Sequence, residues 1–524
     1  MIGMPEKRAR SNACRNCRIR KRRCLPTASD VNGSCQLCKQ QSIPCSLTRR
    51  SGQNRPIAPV DDQLSPASTS SATASHIFPG DPLQLLPPRP VLDELIELYF
   101  QLIHDGPHTL FHKPTFLSRL QENMVPNFLI LAVISLSTRF STNEYFRNDA
   151  RPFALAYAKA AIELLEKEMI RPSLEPVQGY ILVSQHLGGE GDVRAKHICT
   201  GLACLHCQSL RLWDTSGMTI LKQEVRRRTY LSVIITGKWT TADMSIAPVT
   251  SDFPPENLQL LDEEDFLALR ERPARHGIWS QMAKTIDIFR ENLDIIIMLG
   301  SGETLTSQIN KVTHLAKLLD KWEQELPARL KYNPENLTYF QEIGFGKTFL
   351  AMHIGYQHYR QLLYFPFLDP RNENSLASSE CKKHAMMVSE IVSQGGKLVY
   401  YIIGHILVVS SSVHLHTLLL GGGDVDRARS YLLSNFEILM KLKRYWPVID
   451  AAVGRLRSFQ NHCRVSSLDS FVLDDWMWKF LMAQSAVLDE PRSAKHASPR
   501  GPFISGTEMS NDVLVDTALS WLLD

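Results

Sequence analysis

The chain of 524 residues carries 58 Lys and Arg against 54 Asp and Glu, which gives a net charge of +4 at pH 7. This length exceeds what one compact core holds, so we expect more than one domain. The charge is uneven, because residues 1–55 have a net charge of +11 and residues 56–524 a net charge of −7. This distribution indicates a polyanionic partner for the amino-terminal head alone. The first residues lack an apolar signal segment, which argues against an oxidising compartment and against stable disulfides.

Six cysteines in the head follow the pattern C-x2-C-x6-C-x10-C-x2-C-x6-C, at Cys14, Cys17, Cys24, Cys35, Cys38 and Cys45. A C-x2-C pair places two thiolates on one zinc ion, so two pairs indicate two ions. Two tetrahedral zinc ions need eight metal–sulfur bonds, which six thiolates supply only if two of them are shared. The segment is too short for a hydrophobic core of its own, so metal binding would supply its folding free energy. We therefore expect two structural Zn²⁺ per chain.

Basic residues lie between these cysteines, most densely in RIRKRR at 18–23. Successive residues of a helix are rotated by about 100°, so these side chains cannot all face the bases of DNA. Arg or Lys on guanine is the commonest specific contact in the major groove. Other basic side chains would bind phosphates and add affinity without reading sequence, and we assign this role to Arg15, Arg18, Arg23 and Lys39. The same run also has the composition of a nuclear import signal, formed by Arg18, Arg20, Lys21, Arg22 and Arg23, and the two uses can coexist.

The cysteine spacing and the basic run resemble the fungal binuclear zinc cluster family of transcription factors. The resemblance implies that Cys14 and Cys35 bridge the two zinc ions, and that each half is a short helix followed by an extended strand. It also implies that Arg20 and Lys21, just ahead of the third cysteine, read a CGG triplet in the major groove. The loop LPTASDVNGS departs from the family pattern, because Asn32-Gly33 stands near the position where the family usually has proline. Asn-Gly can form the turn without proline.

Residues 51–90 form a linker rich in Pro, Ser and Thr, with the run SPASTSSATAS, and we expect it to be disordered. Its prolines exclude a sustained heptad directly after the cysteine module. The sequence therefore shows no coiled coil that would form a homodimer, and it leaves open whether the protein is a homodimer.

Residues 91–480 show apolar residues at intervals of three and four, and few windows alternate with period two. We predict a large all-α domain with helices near 91–103, 155–165, 176–188, 194–211, 223–244, 280–299, 305–325, 344–363, 380–395, 398–420, 426–443 and 447–465. The stretches ELIELYFQLIHDGPHTLFHKPTF and EVRRRTYLSVIITGKW, with neighbouring blocks over 91–370, resemble the middle homology domain of the same family. That resemblance implies a regulatory helical domain and names no ligand for it.

Four features of the body could suggest other chemistry. GFGKT at 344–348 lacks the first glycine of a phosphate-binding loop, and Gly106-Pro107 interrupts the helical spacing of His104, His108 and His112. Cys199, Cys204 and Cys207 lie in an apolar helix, which favours buried thiols over a metal site. The 23 residues from Leu398 to Leu420 have no Asp, Glu, Lys or Arg and are long enough to span a membrane. Three histidines, three serines and one threonine in this stretch favour a helix buried among other helices.

Residues 481–524 are mostly polar, and we expect a mostly disordered tail. The tail ends in SNDVLVDTALSWLLD, which interleaves acidic and apolar residues. Such interleaving is typical of activation segments. A last helix packed on the body is an equal alternative.

The fold class predicted here is a small metal-stabilised zinc cluster module of two helix-strand repeats, followed by a large all-α regulatory domain. The predicted function is that of a nuclear, sequence-specific regulator of RNA polymerase II transcription without catalytic activity. Its partners would be double-stranded DNA with CGG-type sites and the transcription machinery, with no membrane. An activator is favoured over a repressor or a partner-dependent regulator. From another class, a membrane-associated helical protein with a basic anchor would use the apolar stretch at 398–420.

Overall fold

A computed structural model describes residues 35–36, 85–106, 108–147, 149–244, 260–270, 277–371, 375–395, 398–465, 471–484 and 488. Contacts divide the chain into two units, Met1–Thr73 and Ala74–Asp524, and every helix given below belongs to the second.

The described part of this unit is built from α-helices joined by short turns and 3-10 segments. In chain order they are α1 (Arg89–Leu102), α2 (Lys113–Gln121), α3 (Asn127–Ser137), α4 (Arg151–Glu166), α5 (Leu174–Glu190), α6 (Val193–Ser209), α7 (Ile220–Met244), α8 (Glu263–Leu267), α9 (Ile278–Gly300), α10 (Leu305–Glu325), α11 (Pro334–Glu342), α12 (Gly346–Tyr364), α13 (Ser375–Gln394), α14 (Ile402–Leu420), α15 (Val425–Lys443), α16 (Val448–Val465) and α17 (Asp475–Met482). No β-strand occurs among the described residues, where an isolated bridge joins His104 and His108. The expectation of an all-α body is confirmed.

Helix α1 shows how the sequence specifies these elements. Pro90 lies in its first turn, where the missing N–H costs no intrahelical hydrogen bond. Its buried side chains recur at the helical interval and form one apolar face, made of Val91, Leu92, Leu95, Ile96, Tyr99 and Phe100. The helix begins at Arg89, and Leu85 and Leu86 already pack against the core. Ordered structure thus extends into the last residues of the predicted linker 51–90.

Two helices are buried on all sides and form the centre of the fold. In α3 every residue from Leu129 to Ser137 is buried, and in α14 every residue from Ile403 to Leu418. Helix α3 packs on α1, α4 and α5, and α14 packs on α13, α15 and α16. One continuous hydrophobic core contains residues of all these helices except α8.

Helix α14 covers most of the apolar stretch that is long enough to span a membrane. By length and composition it passes that test, with a mean hydropathy of 1.6. However, 83% of its most apolar window is buried inside the protein. Its serines also follow the pattern of a packed helix, because Ser410 donates to the carbonyl of Ile406 at 3.1 Å and to Gln361 at 3.1 Å. The stretch is therefore a core helix in this structure.

The junction of α5 and α6 brings two helices into an antiparallel pair. Gly191 ends α5 with a φ of +85°, a conformation that residues with a Cβ rarely adopt. Asp192 then caps α6 by accepting a hydrogen bond from the amide of Ala195 at 2.9 Å. Gly188 and Gly189, in the last turn of α5, allow the side chains of Tyr401 and Trp446 to lie directly against the helix backbone.

Candidate functional site

The predicted DNA-binding and zinc-binding residues fall almost entirely outside the described residues. Of the six cysteines only Cys35 is described, and its side chain is buried. The remaining predicted site residues lie outside the described residues. They are the zinc ligands Cys14, Cys17, Cys24, Cys38 and Cys45, and the DNA contacts and import-signal residues Arg15, Arg18, Arg20, Lys21, Arg22, Arg23 and Lys39. The site that the structure does define lies in the helical body.

The three histidines at helical spacing are packing residues. The Nε2 atom of His104 accepts a hydrogen bond from the amide of Phe111 at 3.2 Å. His108 pairs with the hydroxyl of Tyr99 at 3.0 Å, and His112 with the carbonyl of Leu267 at 3.0 Å. Each ring is thus engaged by a different partner, and the three together do not form a metal site.

Lys347, the lysine of GFGKT, caps the carboxyl end of α1. Its Nζ atom donates to the carbonyl oxygens of Gln101 at 2.6 Å and His104 at 2.8 Å, at the carboxyl end of α1. A cation at this end satisfies carbonyls that have no intrahelical partner and interacts favourably with the helix dipole. Lys347 therefore has a structural role at the end of α1.

The thiols of α6 are buried, as expected. Burial raises the pKa of Cys199 and Cys204 to about 12, and burial raises the pKa of Cys207 as well. A thiol with a raised pKa supplies little thiolate for metal binding or nucleophilic attack. These cysteines contribute to the apolar core.

A cavity of about 130 Å³ lies between α5, α6, α7, α9, α12 and α14, with Gln484 after α17 completing its wall. Its surface is mostly apolar, with side chains that include Ile235, Met282, Ile286, Ile354, Leu398 and Ile406. Part of the wall reaches solvent, because Met282 and Leu398 are only half-buried. Apolar walls with a few convergent polar groups are typical of small-molecule sites.

Polar groups converge on one end of this cavity. The amide of Gln185 accepts hydrogen bonds from the hydroxyls of Tyr400 and Tyr401 and donates to Thr236 at 3.1 Å. The Nζ atom of Lys196 lies 3.5 Å from Oε1 of Gln484 and 5.8 Å from the centre of the Tyr401 ring. These contacts place a buried ammonium group at the edge of an apolar space.

The described residues that line this cavity include one cation, Lys196. Lys196 is 2% exposed, and the described residues that line the cavity contain no Asp or Glu. Burying an ammonium group is costly unless polar or anionic partners surround it. Lys196 has such partners, and they include Oε1 of Gln484 at 3.5 Å and the ring of Tyr401.

Aromatic side chains and one hydroxyl shape the rest of the wall. Trp239 stacks on Phe289 with ring centres 4.4 Å apart, and its carbonyl accepts from Gln484 at 3.0 Å. Thr240 is fully buried one residue further along α7, and its hydroxyl has no hydrogen-bond partner among the described residues. Since buried hydroxyls are normally satisfied, this group marks a place where a ligand or water can bind.

Sequence reasoning missed Lys196, although a signal was present. On α6 the buried residues Lys196, Cys199, Ala203 and Cys207 recur at the helical interval. A lysine on the apolar face of a helix is unusual enough to be singled out. The remaining lining residues come from segments far apart in the chain, and no local pattern connects them.

A larger, polar cleft of about 490 Å³ lies near the start of α4 and the end of α15. Among its described cations, Arg139 and Arg151 share Glu190, at 3.2 Å and 2.9 Å, and Lys443 contacts Asp450 at 3.1 Å.

The described residues of the second unit form an all-α body, and comparison with known proteins gives its class. The family model described as the fungal specific transcription factor domain matches residues 96–359, half of the chain. The chain therefore belongs to the family of proteins that carry this domain. That family regulates transcription, so the chain is a regulator and not an enzyme.

Several curated fungal proteins are similar to this chain. An uncharacterized transcriptional regulatory protein of Schizosaccharomyces pombe is 24% identical over 53% of this chain and 32% of its own length. Two Zn(2)-C6 fungal-type transcription factors of Fusarium oxysporum f. sp. lycopersici, FTF1c and FTF2, are each 20% identical over 72% of this chain, and the matches cover 46% and 40% of their lengths. The chain thus spans between a third and a half of the length of these relatives. No solved structure matches it.

Proposed function

We propose that the protein is a nuclear, sequence-specific DNA-binding regulator of RNA polymerase II transcription. The observation that carries this proposal is the six-cysteine pattern at residues 14–45 ahead of a fungal specific transcription factor domain. Relatives named Zn(2)-C6 fungal-type transcription factors support the same function.

The donor set fits two structural zinc ions. Six thiolates satisfy two tetrahedral ions when two sulfurs are shared, and the family resemblance gives the bridging role to Cys14 and Cys35. Six thiolates and two divalent ions sum to a charge of −2. The surrounding Arg and Lys therefore favour the thiolate form and leave positive charge for DNA. Bound zinc would supply the folding free energy of the short segment.

Arg20 and Lys21 are proposed to read a CGG triplet in the major groove. Arg15, Arg18, Arg23 and Lys39 are proposed to bind phosphates, which positions the module on DNA without reading sequence. The basic run at residues 18–23 would also direct nuclear import. We favour an activator, with the acidic and apolar residues near the carboxyl end as the activating segment.

The test is the zinc content and DNA binding of the purified full chain. We expect two zinc ions per chain, and loss of specific DNA binding when a chelator removes them. Cys17→Ser should lower both the zinc content and the affinity for a CGG-containing duplex. Cys199→Ala, which removes a buried thiol of α6, is the matched control and should retain two zinc ions. One zinc ion or none in the unmodified chain contradicts the proposal.

A further inference from the structure

We propose that the outward face of α6 docks on the same face of a second copy of the chain, so that two helical bodies pair through two antiparallel α6 helices. This surface, the α6 face, consists of Ile198, Gly201, Leu202 and Leu205. It goes beyond the proposed DNA-binding function. It also gives the chain a route to a dimer that needs no coiled coil after the cysteine module.

The α6 face is apolar although it is exposed. Ile198 is 62% exposed and Leu205 is 55% exposed, and Leu202 between them is half-buried. These three side chains follow the spacing i, i+4, i+7, which places them in one stripe along the helix. The other side of α6 packs on α5 and α7. The helix thus has an inner apolar side inside the body and an outer apolar stripe that the described residues leave exposed.

The turn after α4 extends this apolar surface. His206 on α6 pairs with the carbonyl of Met169 at 2.8 Å, which holds the turn beside the carboxyl-terminal half of α6. Met169 is 43% exposed and Ile170 is 87% exposed. Single exposed apolar residues are normal, whereas a group of them on one surface indicates a binding site for another macromolecule.

The order of residues on the α6 face suits pairing with itself. In a twofold contact, residues at equal distances from the axis lie opposite each other. An axis between Gly201 and Leu202 places Ile198 of each copy opposite Leu205 of the other. Both ends of the stripe then have an apolar partner. A contact of this symmetry closes after two copies, so it forms a dimer and not a fibre.

Gly201 allows the two helices to approach closely at the axis. It lies inside α6 without a positive φ, and a Cβ at this position would meet no other atom of the described residues within 4 Å. Glycine in a helix interior costs about 1 kcal/mol relative to alanine, so neither the backbone nor the packing of a single chain accounts for it. A second helix that crosses here does, because the distance between helix axes depends on the side chains at the contact.

The charge at the end of the α6 face also suits an antiparallel pair. Arg194 is exposed one turn before Ile198, on the same side of the helix. The twofold axis places it opposite Ser209, at the carboxyl end of α6 in the second copy. A cation is favourable at this end, because the last carbonyls of a helix carry a partial negative charge.

One helix pair with the turn after α4 makes a small interface. It would bury roughly 1,000 Å² in total, at the low end for specific protein pairs. We therefore expect a weak dimer with a Kd on the order of micromolar. Binding of both copies to neighbouring sites on one DNA would raise their effective concentration and stabilise the pair. That effect of DNA rests on the proposed function, whereas the pairing itself does not.

The test is sedimentation velocity of the purified full chain without DNA, at concentrations from about 1 to about 100 μM. We expect a reversible change from monomer to dimer across this range. Ile198→Glu places a carboxylate opposite Leu205 at each end of the contact and should weaken dimerisation at least about tenfold. Because Ile198 is exposed, this variant should fold, and thermal unfolding checks that it does.

A double variant tests the antiparallel arrangement. In Ile198→Glu/Leu205→Lys, each introduced carboxylate lies opposite the introduced ammonium group of the second copy, so dimerisation should return. A parallel pair would instead place like charges opposite each other and give no rescue. Absence of rescue would therefore overturn the antiparallel pairing.

Leu376→Glu is the matched control, because Leu376 is also an exposed apolar residue but lies on α13. It should leave dimerisation unchanged. A full chain that stays monomeric at every concentration would overturn the proposal and leave the α6 face to another occupant, such as the carboxyl-terminal segment of the same chain. A dimer that Ile198→Glu does not weaken would place the contact elsewhere and overturn it as well. Since these measurements use no DNA and read no zinc, their failure is distinct from failure of the DNA-binding function.

Discussion

Arg139 and Glu190 form an ion pair inside the helical body, with Nη1 of the arginine 3.2 Å from Oε1 of the glutamate and side chains that are 4% and 9% exposed. Arg139 also donates to the carbonyl of Tyr445 at 2.9 Å, and its guanidinium lies 4.0 Å from the ring centre of Trp446. Burial lowers the pKa of Arg139 to about 10. Arg139, which follows α3, thus connects Glu190 of α5 to the turn between α15 and α16, two regions far apart in the chain.

Glu190→Gln should therefore destabilise the protein strongly. It leaves a buried guanidinium without its carboxylate, and such a loss costs about 3–5 kcal/mol. The control is Asp93→Asn, which removes one partner of the exposed pair with Arg89 and should cost about 0–1 kcal/mol. Urea unfolding of the full chain measures both free energies. Equal losses of unfolding free energy in the two variants would show that the buried pair contributes no more stability than the exposed pair.

Acidification should destabilise the helical body because many of its histidines are buried and neutral. Burial lowers the pKa values of seven of them to about 3 or 4, and that of His405 well below its usual range; the seven are His108, His186, His353, His358, His384, His414 and His416. In the unfolded chain each takes up a proton near pH 6.5, whereas the folded chain does not. Stability is thus fully present above pH 6.5 and falls toward pH 4, by at most about 1.4 kcal/mol per pH unit for each histidine.

The measurement is the free energy of unfolding at several pH values between 7.5 and 5. His414→Gln should reduce this pH dependence, because the imidazole that pairs with Ser389 at 2.9 Å is removed. His314→Gln, on the exposed face of α10, should leave it unchanged. A free energy of unfolding that stays constant from pH 7.5 to 5 would contradict the buried neutral histidines.

Gly189 should be intolerant of a side chain. A Cβ at this position of α5 would overlap the indole ring of Trp446. We expect Gly189→Ala to cost about 1–3 kcal/mol in the free energy of unfolding, since overpacking forces a shift of the ring or the helix. Gly201→Ala is the matched control, because Gly201 lies inside α6 with no atom near the added methyl group, and it should stabilise by up to about 1 kcal/mol. Thermal unfolding compares the two variants directly.

Lys21 should contribute to sequence preference, and Arg23 to general affinity. Lys21→Ala is expected to cost about 1–3 kcal/mol on a duplex with the CGG triplet and little on a duplex without it. Arg23→Ala should weaken both duplexes alike and reduce the salt dependence of binding. Lys222→Ala, an exposed lysine of α7, is the control and should change neither. An equal loss on both duplexes for Lys21→Ala would exclude its role in reading bases.

The helices were predictable where the apolar interval is regular and glycine or proline marks an end. The predicted segment 305–325 coincides with α10, and 426–443 differs from α15 by one residue. Helix α3 had no such signal, because its residues are buried on all sides and its apolar content has no period. Sequence reasoning therefore predicted most helices and one of the two central ones, α14, but missed the other, α3.

The cavity was not predictable for a different physical reason. Lys196 and Gln484 are 288 residues apart, and the walls between them come from several helices. Local periodicity identifies the face of a helix but not which faces meet. The six cysteines, by contrast, lie within 32 residues of one another, so their spacing alone predicts zinc binding.

The contact between Gln484 and Lys196 has a practical consequence for deletion mapping. A protein shortened to residue 488 loses only the tail, whereas one shortened to residue 470 also loses α17 and Gln484, which hydrogen-bonds to the carbonyl of Trp239. In reporter assays the first truncation tests the proposed activating segment. The second also removes one wall of the cavity. A drop in transcription that appears only with the second would therefore belong to the helical body and not to the proposed activating segment.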